Sequence, residues 1–256
     1  MRTAHGIQFH VLGRGDEAIL LHPSLGVGRF LFHRLIPVWA REYTVVSWDP
    51  RGVGDHRHRE PSMEAFVGDT EEILEAVDRP CHLVGVSLGA LVMARVAVTD
   101  DPRILSLTLA GATLGFAHGR EILAERARTL PELGMAAFAA QYVEETLTPW
   151  AQAEVRENLR LEMADQTVGH YLAAARAVYL LDHRSVISRI RRPTLVVVGT
   201  EDRRTPPREA EQVVRAIPHS RLEVILRAGH LSPLDQPGRF DEAVRPFWRE
   251  VSAKHG

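Results

Sequence analysis

Short apolar runs alternate with amphipathic stretches along most of this chain. The runs cover residues 7–11, 18–21, 43–48, 81–86, 104–110, 193–199 and 222–226. Apolar runs that are short and bounded by turn residues are typical of strands buried on both faces of a parallel sheet. The run at residues 7–11 instead alternates apolar with polar residues, which predicts an early antiparallel strand.

Segments with apolar residues at helical spacing separate these runs. They cover residues 30–39, 62–77, 88–98, 208–217 and 240–251. Strands that alternate with helices predict an α/β fold whose mostly parallel central sheet has helices on both faces.

The alternation stops between residues 112 and 191, where the chain predicts helices and no strand. Pro131, Gly134, Pro149 and Gly169 are expected to divide this block into about four helices. The predicted organisation is a core of residues 1–111 and 193–256 with residues 112–192 as an inserted helical cap. The cap should cover the carboxyl edge of the sheet, where such folds bind ligands.

Composition and charge limit the kinds of molecule that this protein is expected to bind and the compartment in which it is expected to act. The 256 residues carry a formal net charge of -2, which gives no general attraction to nucleic acid or to an anionic membrane. The single cysteine, Cys81, excludes an internal disulfide and fits a reducing compartment. No signal peptide or membrane-spanning run is evident. We expect a cytoplasmic enzyme that acts on a small molecule, and a homo-oligomer is left open.

The strand that begins at Cys81 runs directly into Gly85-Val86-Ser87-Leu88-Gly89, after which a helix begins. The motif Gly-x-Ser-x-Gly indicates a nucleophilic serine when it forms a sharp turn between a strand and a helix. Glycines leave room for such a turn because a Cβ would crowd the neighbouring backbone. Ser87 is therefore the candidate nucleophile.

A serine hydroxyl needs a base to take its proton and an acid to orient that base. His230 follows the last predicted strand, and Asp202 follows the strand before it. Both lie past carboxyl ends of strands, as Ser87 does, so a parallel sheet brings all three to one edge. Glu201, beside Asp202, is the alternative acid.

Acyl transfer also needs donors for the developing oxyanion. The backbone N–H of Leu88, next to the nucleophile, is one candidate, and the loop at residues 22–26 supplies the second. Pro23 has no N–H, so Ser24 is the preferred donor and Leu25 the alternative. Because Pro23 restricts the loop, we expect it to be preformed, with His22 holding it in place.

Taken together, these pieces resemble the α/β-hydrolase superfamily over nearly the whole chain. The matching segments are His22-Pro23-Ser24-Leu25-Gly26, Asp49-Pro50-Arg51-Gly52-Val53-Gly54, the turn around Ser87, Gly199-Thr200-Glu201-Asp202 with Thr205-Pro206, and Ala228-Gly229-His230. The resemblance implies the fold and a Ser-Asp-His triad. Within the superfamily the chain is similar to 3-oxoadipate enol-lactonases and related carboxylesterases. It departs from their pattern at Pro23, where a glycine is usual, and at the charged residues 55–59.

The predicted function is hydrolysis of a small carboxylic ester or lactone through an acyl-enzyme, with no metal and no cofactor. Two alternatives remain open: cleavage of a C–C bond or acyl transfer to peroxide on the same triad, and a non-catalytic small-molecule receptor. An epoxide hydrolase or dehalogenase is disfavoured, because those families have Asp at the nucleophile position. The cap aromatics at residues 138, 142, 150, 171 and 179 are expected to shape the pocket, without an assigned specificity role.

Overall fold

A seven-stranded sheet forms the centre of the computed structural model, which describes residues 1–255. The strands are β1 (His10–Leu12), β2 (Ala18–His22), β3 (Thr44–Ser47), β4 (Cys81–Val86), β5 (Ile104–Ala110), β6 (Thr194–Gly199) and β7 (Arg221–Ile225). They lie in the order β1-β3-β2-β4-β5-β6-β7, and β1 alone runs antiparallel to its neighbour. The mostly parallel sheet predicted from the apolar runs is confirmed.

The central strands are buried on both faces. Ile19 and Leu21 of β2 contribute to the core on one side of the sheet, and Leu20 between them contributes to the core on the other side. This alternation follows from the two-residue period of a strand. At the edge, β7 instead exposes Arg221 and Glu223, whose charges oppose pairing with a further strand.

Helices cover both faces of the sheet. They are α1 (Ile36–Trp39), α2 (Met63–Val77), α3 (Leu88–Ala97), α4 (Gly119–Thr146), α5 (Ala153–Ala164), α6 (Val168–Tyr179), α7 (Arg184–Ile187), α8 (Pro207–Ala216), α9 (Ser232–Asp235) and α10 (Pro237–His255). Trp248 of α10 belongs to one core and Val213 of α8 to the other. No helix of residues 1–255 is both long and apolar enough to cross a lipid bilayer.

The all-helical block between β5 and β6 consists of α4 to α7, as the loss of alternation predicted. Its internal divisions differ from the expected ones. Gly134 interrupts α4 with a φ of 76° and a ψ of 154°, and Pro149 lies between α4 and α5. Pro131 and Gly169, however, lie inside α4 and α6. Gly169 is tolerated because it falls in the first turn of α6, two residues after the capping residue Thr167.

The predicted helix at residues 30–39 is broken in two. A 3-10 turn covers Arg29–Phe32, and α1 begins only at Ile36. Pro37 explains the break, because it has no N–H to donate back to the preceding turn and is accommodated only in the first turn of a new helix.

Candidate active site

Ser87 lies at a strained turn between β4 and α3. Its φ of 56° and ψ of -113° are unusual for a residue with a Cβ. The two glycines make the turn sterically feasible. A Cβ on Gly85 would lie 2.3 Å from the backbone of Gly89, and one on Gly89 would lie 2.1 Å from the His22 carbonyl oxygen. Ser87 is partly exposed, whereas its neighbours Val86 and Leu88 are buried.

An imidazole and a carboxylate meet at the same edge of the sheet. Nδ1 of His230, which follows β7, lies 2.9 Å from Oδ2 of Asp202, which follows β6. Both residues are 3% exposed, so this contact is shielded from water. An ionised Asp202 would accept the Nδ1–H and leave Nε2 as the nitrogen that can take a proton.

Asp202 is held by three further hydrogen bonds. The backbone N–H groups of Arg204 and Thr205 each donate to Oδ1 at 2.9 Å, and the Thr205 hydroxyl donates to Oδ2 at 2.9 Å. Burial alone would raise the pKa of Asp202, but His230 and the Thr205 donors outweigh it and hold the pKa below its usual value. The carboxylate is therefore ionised at neutral pH and fixed in orientation.

Thr205 and Gly111 are positioning residues to which the sequence analysis assigned no role, although Thr205 lies in a segment that matched the superfamily. The Thr205 oxygen lies 3.2 Å from Nδ1 of His230, in addition to its bond to Asp202. Gly111, directly after β5, has a φ of +58°, and a Cβ there would lie 3.0 Å from Cε1 of His230. A sequence signal for this role of Thr205 is a short hydroxyl side chain three residues after an acid in a loop.

The end of β5 connects the serine to the histidine. The N–H of Ser87 donates to the Ala110 carbonyl at 2.8 Å, and a Cβ on the next residue, Gly111, would meet the His230 ring. Neither the Ser87 hydroxyl nor His230 Nε2 has a hydrogen-bond partner in the described part of the chain. Hydrogen bonds between a nucleophile and its base often tighten only when substrate binds.

The loop at residues 22–26 packs against the start of α3. His22 is fully buried, with Nδ1 3.0 Å from the Pro23 carbonyl oxygen and its ring edge-on to Trp48 and Phe66. Burial lowers the pKa of His22 to about 4, so the ring is neutral and can donate from Nδ1. His22 thus tethers its own loop from within the core.

Three backbone N–H groups around Ser87 are free to donate. Those of Ser24, Leu25 and Leu88 have no acceptor among residues 1–255. Ser24 is 1% exposed, and its hydroxyl oxygen has no hydrogen-bond partner in that same range. Leu88 follows the serine at the N-terminus of α3, where free N–H groups favour negative charge. The geometry leaves both Ser24 and Leu25 open as the second donor.

The inserted helices hold the other side of this loop. The Tyr142 hydroxyl of α4 donates to the Leu25 carbonyl at 3.1 Å, and Gln166 Nε2 donates to the Gly26 carbonyl at 2.6 Å. Glu162 Oε2 of α5 accepts from the Gly28 N–H at 3.0 Å. The carbonyls of Leu25 and Gly26 are therefore bonded to the inserted block, whereas the N–H groups of Ser24 and Leu25 stay free.

A group of cationic and aromatic side chains lies between α4, α6 and the Asp202 loop. We call it the arginine cluster, and its members are Arg126, Phe138, Tyr142, Tyr171, Tyr179 and Arg204. The aromatic members were predicted to shape the pocket without an assigned specificity role, and no sequence motif indicated a role for the two arginines. Arg204 connects the cluster to the acid, because its backbone N–H is one of the donors to Asp202.

Comparison with known proteins agrees with this architecture. Residues 18–243 match the family model described as the alpha/beta hydrolase family. A 3-oxoadipate enol-lactonase of Acinetobacter baylyi is 26% identical over 96% of this chain and 94% of its own length. A pimeloyl-[acyl-carrier protein] methyl ester esterase of Aeromonas salmonicida is 27% identical over 92% and 96%. A thermophilic esterase of Thermogutta terrifontis superposes with a TM-score of 0.85 at 26% identity, covering 95% of this chain and 93% of that one.

Proposed function

Because the chain belongs to the alpha/beta hydrolase family, as its motifs predicted, we propose that it is a serine hydrolase of small carboxylic esters or lactones. The observation that carries this proposal is the buried contact of 2.9 Å between His230 and Asp202, formed at the sheet edge that also exposes Ser87. Relatives named as an enol-lactonase and a methyl ester esterase support the substrate class.

In the first half of the proposed reaction, the Ser87 hydroxyl oxygen attacks the carbonyl carbon while His230 Nε2 takes its proton. The tetrahedral intermediate then collapses: the bond to the leaving oxygen breaks, and His230 returns the proton to that oxygen. An alcohol leaves and an acyl group remains on Ser87. For a lactone, the alcohol stays attached to the acyl group.

In the second half, a water molecule attacks the acyl carbon and gives a proton to His230. Collapse of the second intermediate restores the Ser87 hydroxyl with that proton and releases a carboxylic acid. The sum is ester plus water to acid plus alcohol. Side chains and water supply every group in this sequence, so the proposed chemistry requires neither a metal nor a cofactor.

Asp202 acts on the imidazole and does not itself take a proton. Its lowered pKa keeps it negative while His230 is transiently positive. Both intermediates carry a negative oxygen, and the N–H groups of Leu88 and of Ser24 or Leu25 are the proposed donors to it. Such donors are effective because they are oriented before the charge develops.

We assign residues 1–111 and 193–256 to the catalytic core and residues 112–192 to a cap that shapes the substrate pocket. Bonds from Tyr142, Glu162 and Gln166 to the loop at residues 22–28 support this division of roles. The cap side would then contribute to substrate choice, and the core would carry the chemistry.

The direct test is the variant Ser87→Ala, which should fold normally and lose ester hydrolysis by several orders of magnitude. A fluorophosphonate probe should label the wild-type protein at Ser87 and leave the variant unlabelled. Ser185→Ala, an exposed serine on α7, is the matched control and should label and hydrolyse like the wild type. Persisting hydrolysis in Ser87→Ala, with labelling at another serine, would contradict the assignment.

A further inference from the structure

The loop that carries His230 is closed by a buried carboxylate that the proposed mechanism does not use. Asp235 is the last residue of α9, and its Oδ2 accepts the Gly229 N–H at 2.6 Å. The chain therefore leaves β7, passes through His230, turns in α9 and bonds back to the residue that precedes the imidazole. Asp235 is buried, so water competes little for this hydrogen bond. Asp202 holds the ring of His230, whereas Asp235 holds the backbone beside it.

The same carboxylate holds the segment that follows α4. The Thr148 N–H donates to Asp235 Oδ1 at 3.0 Å, and the Thr148 hydroxyl donates to the same oxygen at 3.0 Å. Thr148 lies between α4 and α5, whereas Gly229 follows β7. Arg156 of α5 donates to the Thr148 carbonyl at 3.0 Å and adds a positive charge that favours the ionised form of Asp235. One buried acid thus joins the loop of His230 to the inserted helices.

These donors make the position specific for a carboxylate. A buried carboxylate costs free energy unless donors surround it, and hydrogen bonds to an ionised acceptor are stronger than those to a neutral one. Burial raises the pKa of Asp235, but the donors of Gly229 and Thr148 and the charge of Arg156 oppose that rise. An asparagine here would keep one acceptor oxygen and turn its NH2 group toward an N–H that already points at it. The side chain would then lose its bond either to Gly229 or to Thr148.

A second hydrogen bond ties the other side of His230 to the same region. The Leu231 N–H donates to the carbonyl of Thr146, the last residue of α4, at 3.2 Å. Gly229 fits between these attachments because it lacks a side chain: a Cβ there would lie 2.7 Å from the Thr146 oxygen and 2.9 Å from Asp235 Oδ2. Both neighbours of His230 are therefore attached, directly or through Asp235, to the end of α4.

The end of α4 also reaches the proposed oxyanion donors. The Tyr142 hydroxyl donates to the Leu25 carbonyl at 3.1 Å, and the Thr146 hydroxyl donates to the Tyr142 carbonyl at 2.6 Å. One short stretch of helix thus contacts the loop at residues 22–26 and, through the bonds just described, the loop of His230. Its position affects how the base and the oxyanion donors lie relative to each other.

We propose that Asp235 and Thr148 are positioning residues for His230, which aim its Nε2 at Ser87 by fixing the backbone that leads into the imidazole. This inference rests on the proposed hydrolase function and extends it, since it gives the inserted helices a part in the chemistry as well as in substrate choice. The bond to Asp202 fixes only Nδ1, so the direction of Nε2 also depends on where the backbone of His230 is held. A displacement of about 1 Å at a reacting group can cost roughly a hundredfold in rate.

The Thr148 hydroxyl offers the most selective test, because it can be removed with little change in the shape of the side chain. Thr148→Val keeps the backbone donor and should lower kcat on a methyl ester by roughly three- to tenfold, the effect of one lost hydrogen bond, with KM changed by less than about twofold. Thr148→Ser restores the hydroxyl and should recover most of that kcat. Asp235→Asn should lower kcat by roughly 30- to 100-fold. Asp100→Asn, an exposed acid between α3 and β5, is the control and should leave kcat unchanged.

A spectroscopic signal reports on the loop of His230 without turnover. The Nδ1–H proton of His230 is shielded from water and bonded to a carboxylate, so it should give a proton NMR resonance downfield of the backbone amides. The resonance can be recorded in a protein that also carries Ser87→Ala. Asp235→Asn and Thr148→Val should shift or broaden it, and Thr148→Ser should restore it.

A wild-type protein that hydrolyses no ester would refute the hydrolase function, and the resonance alone would then decide the positioning role. A folded Asp235→Asn protein that keeps the wild-type resonance, or that keeps the wild-type kcat in an active enzyme, would overturn the proposal. Circular dichroism shows whether Asp235→Asn folds, and if it does not, the Thr148 pair decides. Thr148→Val with wild-type kcat and resonance would overturn the proposal, and so would equal losses in Thr148→Val and Thr148→Ser.

Discussion

Glu201 and Asp202 are adjacent acids, and the course of the backbone separates their roles. The N–H of Glu201 donates to the Ala228 carbonyl at 2.9 Å, which continues the pairing of the β6 and β7 ends. The next residue turns inward, where the donors of Arg204 and Thr205 receive its carboxylate. A change of one position in the loop therefore decides which acid reaches His230.

We expect Asp202→Asn to lower kcat by roughly 10³- to 10⁴-fold, because an amide can no longer hold the imidazole in the required tautomer. Glu201→Gln should change kcat by less than about threefold, since Glu201 does not contact the imidazole. Steady-state kinetics on one ester, with circular dichroism as the check on folding, separates the two. Equal losses would mean that the wrong carboxylate has been assigned.

The free N–H groups of the loop at residues 22–26 allow a second test at this scale. Ser24→Ala keeps its backbone N–H and should retain most of kcat. Ser24→Pro and Leu25→Pro each remove one candidate donor, and the one that serves the oxyanion should cost roughly a hundredfold or more in kcat. If neither proline variant loses kcat while both remain folded, the second donor lies outside this loop.

Among the elements, the strands were the most predictable from sequence. A strand buried on both faces needs a short continuous apolar run, as in β4 and β5. Few other secondary-structure elements produce an apolar run of that length, so the run is a reliable signal for a strand. The broken helix at residues 30–39 was not predicted, because its apolar spacing is helical and Pro37 acts only through its missing N–H. The expectation that Gly169 ends a helix was also wrong, because a glycine in the first turn of a helix does not interrupt that helix.

The arginine cluster could not be predicted from the sequence. Its two arginines are far apart along the chain, and neither lies in a motif of its own. What places them together is the packing of α4 and α6 above the loop after β6, together with the backbone bond that ties Arg204 to Asp202. By contrast, Ser87, Asp202 and His230 each follow a strand, so one topological rule was enough to bring them to one edge.

At the scale of the whole molecule, the acidic side chain of Glu162 lies at the interface between the inserted helices and the core, which we call the seam. Glu162 of α5 accepts from the Gly28 N–H, and the Asp49 carboxylate lies beside the same glycine. Part of Glu162 reaches the surface, but its carboxylate is turned inward. Burial raises the pKa of Glu162 to about 7, and the neighbouring Asp49 charge adds to the effect while Arg29 opposes it.

The contribution of this seam to the stability of the folded protein should decrease as the pH rises. The folded protein holds the Glu162 proton up to about pH 7, whereas the unfolded chain releases it near its ordinary value of 4.5. The contribution of Glu162 to the free energy of unfolding is therefore fully present below that ordinary value and declines as the pH rises to above 7. The ionised form costs the folded state on the order of 1 to 3 kcal/mol.

Glu162→Gln mimics the protonated acid at every pH. Denaturant unfolding should show a small stability advantage of the variant over the wild-type protein at pH 5 and a larger one at pH 8.5. Glu154→Gln, an exposed acid on the same helix, controls for the loss of one charge and should show no such divergence. A constant difference between Glu162→Gln and the wild type across this pH range would rule out a titrating seam.

The bonds between the loop at residues 22–28 and the inserted helices also bear on how the protein is made. A ribosome delivers the Ser87 turn early, but the partners of the loop, Tyr142, Glu162 and Gln166, emerge later. His230 follows later still, with the helix whose Trp248 Nε1 donates to Thr108 in the core at 3.0 Å. Because domains fold as units, a nascent chain would carry the proposed nucleophile, Ser87, before the proposed base, His230, is in place to activate it. Under the proposed mechanism, reactivity toward esters would then begin only once the chain through Trp248 had been translated.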